Sequence, residues 1–294
     1  NVINFTIDKF CYVTIKDHHI QPFSERFRLN YSEVENIESI YKIKNKIIKN
    51  TLLKKKMNYP LYISVISDIP AGTGMGSSSS FCVGLLNCLN DIKEKPNKKF
   101  YNALEATNIE INMCKEPIGF QDQFAASYGG FNHFIFNKKN FKVNNLVKYN
   151  KYLQLIIDRS VLLWTGVSRS ASKILKDQKK NLNNNYSNLE KMNNLSLEFL
   201  NILENFSYKN FISLMNKNTE LKYSLSNMIF NKEYEKLIKN DKKIIASKIL
   251  GAGGGGFILC FFKDKKNKNL FLKENRNALK YDFYKQGSKI IKNI

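Results

Sequence analysis

Residues 68–81 read DIPAGTGMGSSSSF. Gly72, Gly74 and Gly76 alternate through the stretch and Ser77–Ser80 follow at once, in a chain with only 14 glycines among 294 residues. Without a Cβ, alternating glycines let the backbone turn tightly and approach a ligand closely. Upstream, LYISVISDIP reads as a short buried strand stopped by Pro70; downstream, SFCVGLLNCLND is apolar enough for a buried helix. The order strand, glycine loop, helix aims several backbone N–H groups and the positive end of a helix at one point, which is how phosphate is bound. Serine hydroxyls beside it suit phosphate oxygens or Mg²⁺. A flexible linker is the competing reading, but regular apolar elements flank the stretch directly. It is not a Walker A loop, having no Gly-Lys-Ser/Thr ending. Nor is it the dinucleotide GxGxxG pattern, because Ser79 stands where the third glycine belongs.

Outward from this loop, residues 2–16 alternate with a strand period, and residues 32–56 place Ile37, Ile40, Ile43, Ile47 and Ile48 at helical spacing. Residues 99–113 predict a further amphipathic helix. YGGFNHFIFN and residues 141–149 predict two strands around a turn, and LQLIIDRSVLLWTGV reads as strand-rich. Ser168 to Ile238 is almost wholly helical in pattern, with a turn expected at Asn183–Asn185. KILGAGGGGFILCFF reads as strand, turn, strand, and the chain closes on a helix and a short strand. No internal repeat and no regular βαβ alternation is present, so the fold class is α+β.

The apolar fraction of 43% supports a buried core, and 21 Phe and 15 Tyr exclude a disordered chain. The net charge of +22 is spread along the chain and mixed with Asn, Glu and Asp, so it reads as a solvated surface and not as a nucleic-acid patch. Five cysteines form no CxxC pair and three histidines have no metal-ligand spacing. No apolar run spans a bilayer and no leader is visible, so no membrane partner is expected. A cytoplasmic protein is the expectation.

PAGTGMGSSSS resembles the phosphate-binding motif of the GHMP kinases (galactokinase, homoserine kinase, mevalonate kinase, phosphomevalonate kinase), with Met75 where Leu is usual. KILGAGGGGFILC resembles their C-terminal glycine-rich motif. Between the two, KEPIGFQDQFAASYGGFNHFIFN and LLWTGVSRSASKILKDQ resemble the sugar kinases acting on the anomeric position of D-glycero-D-manno-heptose 7-phosphate. Fucose kinases and galactokinases are more distant. The resemblance implies a two-lobe α+β fold. Residues 1–155 would form the ATP-binding lobe, and 156–294 a ferredoxin-like C-terminal lobe. It also implies ATP and Mg²⁺ as cofactors and a small-molecule sugar phosphate as substrate. A kinase for another sugar, or a nucleotide-binding protein of this fold without turnover, are the alternatives. The oligomeric state, monomer or homodimer, stays open.

By the same resemblance, Gly72, Gly74, Gly76, Ser77, Ser78 and Ser79 cradle the nucleotide phosphates, and Ser78 and Glu110 hold Mg²⁺. Glu110 lies twelve residues before Asp122, the spacing of metal carboxylate and catalytic Asp in galactokinase-like sequences. Asp122 is then the base that accepts or orients the sugar hydroxyl proton. Glu110 could instead be an exposed helix-face carboxylate, and Asp122 an N-cap for the helix after it. Arg169, at a helix start, suits a bidentate grip on an anionic substrate group, with a surface arginine as the alternative. Glu116, in the KEPIG loop, would face the substrate. Gly251 and Gly253–Gly256 form a tight turn that shapes the site. The resemblance also implies a sugar-handling motif and a strand ahead of Asn1, so the sequence reads either as a fragment or as a protein lacking that start, with an unpaired sheet edge.

Overall fold

The computed structural model describes residues 1–17, 26–138, 140–168, 171–229, 232–239 and 241–291. The strands in chain order are β1 (Val2–Phe5), β2 (Cys11–Asp17), β3 (Phe27–Asn30), β4 (Val34–Ile37), β5 (Leu61–Ser67), β6 (Phe131–Phe136) and β7 (Phe141–Asn145). They continue with β8 (Ser160–Trp164), β9 (Ile244–Ile249), β10 (Phe257–Phe262) and β11 (Ala278–Leu279). The helices are α1 (Lys46–Lys54), α2 (Ser77–Ile92), α3 (Lys99–Thr107), α4 (Gln121–Tyr128) and α5 (Asn150–Ile157). After them come α6 (Ala171–Lys180), α7 (Leu182–Glu204), α8 (Tyr208–Tyr223), α9 (Lys232–Lys239) and α10 (Lys265–Glu274).

These elements group into two compact units, each built from separate stretches of chain. The first comprises Lys9–Pro70, Gly76–Gly129 and Gln286–Ile294; the second comprises Asn1–Asp8, Ala71–Met75 and Gly130–Lys285. The chain passes between them several times, so a single boundary near residue 155 does not describe them.

The first unit is a four-stranded sheet, β2-β5-β3-β4, covered by helices. Only the β3–β5 pair is parallel. Phe27 and Leu29 of β3 and Leu61 and Ile63 of β5 point to one face, as strand alternation requires. Ile48 and Leu52 of α1 and Phe81, Leu85 and Leu89 of α2 cover them. Gly84, inside α2, would bring a Cβ to 3.1 Å from Val13 Cγ2, so a glycine in a helix interior is the condition for seating α2 on β2. Asn45 accepts from the Ile48 N–H at 3.1 Å and starts α1.

The second unit holds two sheets, β1-β6-β7 and β11-β8-β10-β9, both wholly antiparallel. Val161, Leu163, Ile258, Cys260 and Phe262 form the core of the latter with Ile174, Leu225, Ile229 and Phe271. An antiparallel sheet packed by helices agrees with the α+β expectation.

Three local expectations differ from the structure. Residues 34–37 are strand, not helix, because Val34–Ile37 pairs antiparallel with β3, and the helix begins only at Lys46. Leu153–Ile157 belongs to α5, not to a strand; three of its apolar residues, Leu153, Ile156 and Ile157, share one buried helical face. The expected turn at Asn183–Asn185 lies inside α7, where the buried Asn185 donates to the Leu225 carbonyl at 2.8 Å. The break between the helices falls two residues earlier, at Asn181.

α4 ends at Gly129, whose φ of 63° and ψ of 178° only glycine adopts readily. A Cβ there would lie 2.0 Å from the Gln286 carbonyl carbon, and the Ser288 N–H donates to Ala126 O at 2.8 Å. Backbone strain and overlap act together, so Gly129→Ala should lower unfolding free energy by more than about 2 kcal/mol. Urea denaturation measures this; a loss below ~0.5 kcal/mol would contradict the tight seating of residues 286–288 on α4.

Candidate active site

In the first unit the polar side chains converge on one buried carboxylate. Glu110 has no exposed surface. It sits in a wide helical turn, Asn108–Met113, that follows α3 and is closed by the Cys114 N–H on Ile109 O at 2.8 Å and the Glu116 N–H on Glu110 O at 3.0 Å. Such wide turns re-aim a side chain relative to a regular helix. Ser78 Oγ donates to Glu110 Oε1 at 2.7 Å, Ser79 Oγ to Oε2 at 2.7 Å, and Gln123 Nε2 to Oε2 at 2.6 Å. Burial pushes the Glu110 carboxyl above its ordinary range, these three donors pull it back, and the charge of Asp122 pushes it up again. The exposed helix-face reading of Glu110 is thereby excluded.

Gly76 precedes α2 with a φ of 70°, and no side chain caps the helix. The first intrahelical bond runs from the Ser80 N–H to Gly76 O at 2.9 Å, so the amides of Ser77, Ser78 and Ser79 are helix-end donors without an intrahelical partner. The Ser77 hydroxyl turns back to Ile69 O and Pro70 O at 3.4 and 3.3 Å and closes the loop entry. Ser79 is buried with its hydroxyl committed to Glu110, which leaves its backbone N–H as the group it offers an anion.

A Cβ on Gly76 would meet Asp122 Cγ at 3.4 Å, so the end of the glycine loop lies beside that carboxyl group with room for no more than a small side chain between them. Asp122 is half-buried in the first turn of α4. Burial raises its pKa and a hydrogen bond with Gln121 opposes the rise. It is not the N-cap: that position is Phe120, with no side-chain hydrogen bond.

In the second unit the first half of the loop packs backbone to backbone against the C-terminal glycine run. Gly72 and Gly74 have φ of 76° and 80°. The Phe257 N–H donates to Thr73 O at 3.1 Å, and the Gly256 N–H to Val167 O at 2.8 Å. A Cβ on Gly256 would fall 2.2 Å from Thr73 O, and one on Gly251 would fall 2.5 Å from Gly74 Cα. The first half of the loop, the C-terminal glycine run and the segment after β8 are thus brought to one place, which only residues without a Cβ allow.

Of the other expected residues, Glu116 is half-buried and closes the wide turn through its backbone. Arg169 lies outside the described residues. Gln123 was not singled out by sequence reasoning. Its signal was present, as the neighbour of Asp122 in QDQF, but only the fold shows that its amide reaches Glu110.

The residues present fit a hard cation. Ser78 Oγ and Glu110 Oε1 are 2.7 Å apart, close to the ~2.9 Å edge between adjacent ligands of an octahedron with metal–oxygen bonds of 2.0–2.1 Å. Gln123 Oε1 is buried without a hydrogen-bond partner among the described residues, an acceptor suited to a metal-bound water. Among the described residues no three His, Cys, Asp or Glu side chains gather as a metal site, so the set suits Mg²⁺, which keeps waters and phosphate oxygens as its remaining ligands.

The GHMP kinases N terminal domain matches residues 40–130 and the GHMP kinases C terminal domain matches 180–280. The chain is 31% identical to D-glycero-alpha-D-manno-heptose 7-phosphate kinase of Campylobacter jejuni over 275 residues, 90% of this chain and 79% of that protein. The chain belongs to the GHMP kinase family. As a GHMP kinase it is an ATP-dependent phosphotransferase. A galactokinase of Pyrococcus furiosus is 33% identical over 106 residues, 36% of this chain and 28% of that protein. The crystal structure of a D-glycero-D-manno-heptose 1-phosphate kinase from Bacteroides thetaiotaomicron shares the fold, with a TM-score of 0.74 at 20% identity over 99% of this chain and 90% of that one. Mevalonate kinase of Methanococcus jannaschii also shares it, with a TM-score of 0.71 at 19% identity over 96% and 91%. Among the described residues no helix is long and apolar enough to cross a membrane. All five cysteines are free.

The raised Glu110 carboxyl has a thermodynamic consequence. The native state binds its proton more tightly than the unfolded state does. Ionising Glu110 therefore costs folding free energy, from the unfolded carboxylate pKa up through the folded one. In metal-free protein Glu110→Gln should then unfold at higher urea than wild type at pH 7–8, with the difference closing towards pH 4. A variant less stable than wild type at pH 8 would mean that the three donors outweigh the burial.

Proposed function

We propose that this GHMP kinase transfers the γ-phosphoryl group of ATP to the anomeric hydroxyl of D-glycero-D-manno-heptose 7-phosphate, giving the 1,7-bisphosphate. The 31% identity with a heptose 7-phosphate kinase across 90% of the chain supports the substrate. The observation that carries the site is the convergence of Ser78, Ser79 and Gln123 on buried Glu110, with Gly76 beside Asp122.

In this reading the amides of Ser77–Ser79 and the loop backbone of Gly72, Gly74 and Gly76 bind the nucleotide phosphates at the positive end of α2. Ser78 Oγ and Glu110 hold Mg²⁺. When bound, Mg²⁺ neutralises charge on the β- and γ-phosphates. Asp122 accepts or orients the proton of the anomeric hydroxyl as its oxygen attacks the γ-phosphorus and ADP departs. Burial makes Asp122 a stronger base than a solvated aspartate. An anomeric hydroxyl is more acidic than an ordinary alcohol, so the demand on that base is modest. Arg169 grips the 7-phosphate, and Glu116 faces the sugar. An ATP-dependent enzyme with five unpaired cysteines fits the cytoplasm.

The test is steady-state turnover with heptose 7-phosphate, galactose and fucose. The heptose phosphate should give the highest kcat/KM; galactose or fucose above it would assign a different sugar, and no turnover on any would leave a nucleotide-binding protein. On the preferred sugar, Asp122→Asn should lower kcat at least ~10²-fold while the KM for ATP stays within about threefold. Turnover like wild type would remove Asp122 from the chemistry.

A further inference from the structure

Helix α8 fastens to the free edge of the C-terminal sheet through a seam of polar side chains. β9 is the edge strand of the order β11-β8-β10-β9, so one side of its backbone has no strand partner among the described residues. The outward carbonyls fall at alternate positions, and α8 takes them in turn. Thr219 Oγ1 donates to Ser247 O, and the Lys222 ammonium donates to Ile249 O at 2.8 Å and to Gly251 O at 2.5 Å. Lys248 on β9 donates to Asn218 Oδ1 and completes the seam. Covering a sheet edge from a helix in this way satisfies groups that would otherwise be left bare.

Lys222 stands at the end of the seam, where the chain leaves β9 for the glycine turn. It holds the carbonyls on either side of Leu250. Leu250 O is the atom that a Cβ on Gly74 would meet at 3.0 Å, and a Cβ on Gly251 would lie 2.9 Å from Gly74 O. One ammonium therefore holds the carbonyls on either side of the Leu250 carbonyl, against which Gly74 lies. Among the described residues the ammonium is bound by carbonyl oxygens alone, a costly arrangement for a cation that the covering of a strand edge does not by itself require. Burial and the nearby Lys248 push Lys222 down to about 7, and burial pushes Lys248 down to about 8.

We infer that Lys222 is a positioning residue for nucleotide binding, acting through the Ile249 and Gly251 carbonyls on the backbone of Gly74. The inference rests on the reading of residues 72–79 as the nucleotide loop. Lys222→Met keeps the length of the side chain and removes its donors. It should raise the KM for ATP, and the dissociation constant of a non-hydrolysable ATP analogue measured by calorimetry, by about tenfold or more. The kcat at saturating ATP should stay within about threefold and the KM for sugar within twofold. Lys222→Arg, which can serve both carbonyls, should restore the ATP affinity. A fall in kcat with unchanged KM for ATP would show a purely structural role and overturn the inference. If Lys222→Met does not fold, Lys222→Gln, which keeps one donor, gives the same reading. Gly74→Ala separates the two levels. Should it weaken analogue binding while Lys222→Met does not, the positioning role fails alone; should neither weaken it, the nucleotide-loop reading fails as well.

Discussion

A carboxylate with no exposed surface must find its solvation inside the protein. Glu110 finds it in Ser78, Ser79 and Gln123, which come from two helices, and it sits itself on a wide turn following a third. Each bond to a charged group is worth about 1.5–3 kcal/mol, so the three together offset part of a burial cost that still leaves the carboxyl above its ordinary range. The same bonds set the direction of α4 relative to the start of α2 and hence the place of Asp122. The position of Asp122 and the solvation of Glu110 are one constraint.

The second constraint is the absence of Cβ atoms where two backbones meet. Gly74 on Gly251 and Thr73 on Gly256 approach too closely for any side chain at the glycines. Positive φ and close packing coincide at Gly74, Gly251 and Gly256, which is why glycine is concentrated in both motifs. The first half of the loop is thereby held by the C-terminal glycine turn and the second half by the N-terminus of α2.

The sequence carried the motifs well because their physics is local. Glycine spacing, the buried helix after it and the Gly-rich hairpin of β9 and β10 all appear where periodicity and composition placed them. Where non-local pairing decides, the reading slipped. Val34–Ile37 continues a helical spacing of isoleucines, yet its partner in β3 makes it a strand. Leu153–Ile157 is as apolar as a strand but too short to show its helical period. In the site, Glu110 and Asp122 could be named from the family resemblance, but nothing in the sequence reveals that residues 108–113 widen into a turn that buries Glu110. The amide of Gln123 and the ammonium of Lys222 were equally hidden. Each acts across a contact between residues far apart in the chain, and their types alone are indistinguishable from ordinary surface residues.

The most direct test is a crystal structure with Mn²⁺ and a non-hydrolysable ATP analogue, the metal located by its anomalous scattering. The account predicts the metal bonded to Ser78 Oγ and to a Glu110 oxygen, with the phosphates on the amides of Ser77–Ser79 and Asp122 facing the γ-phosphate. A metal with neither Ser78 nor Glu110 among its ligands, or a nucleotide bound away from the glycine loop, would contradict it.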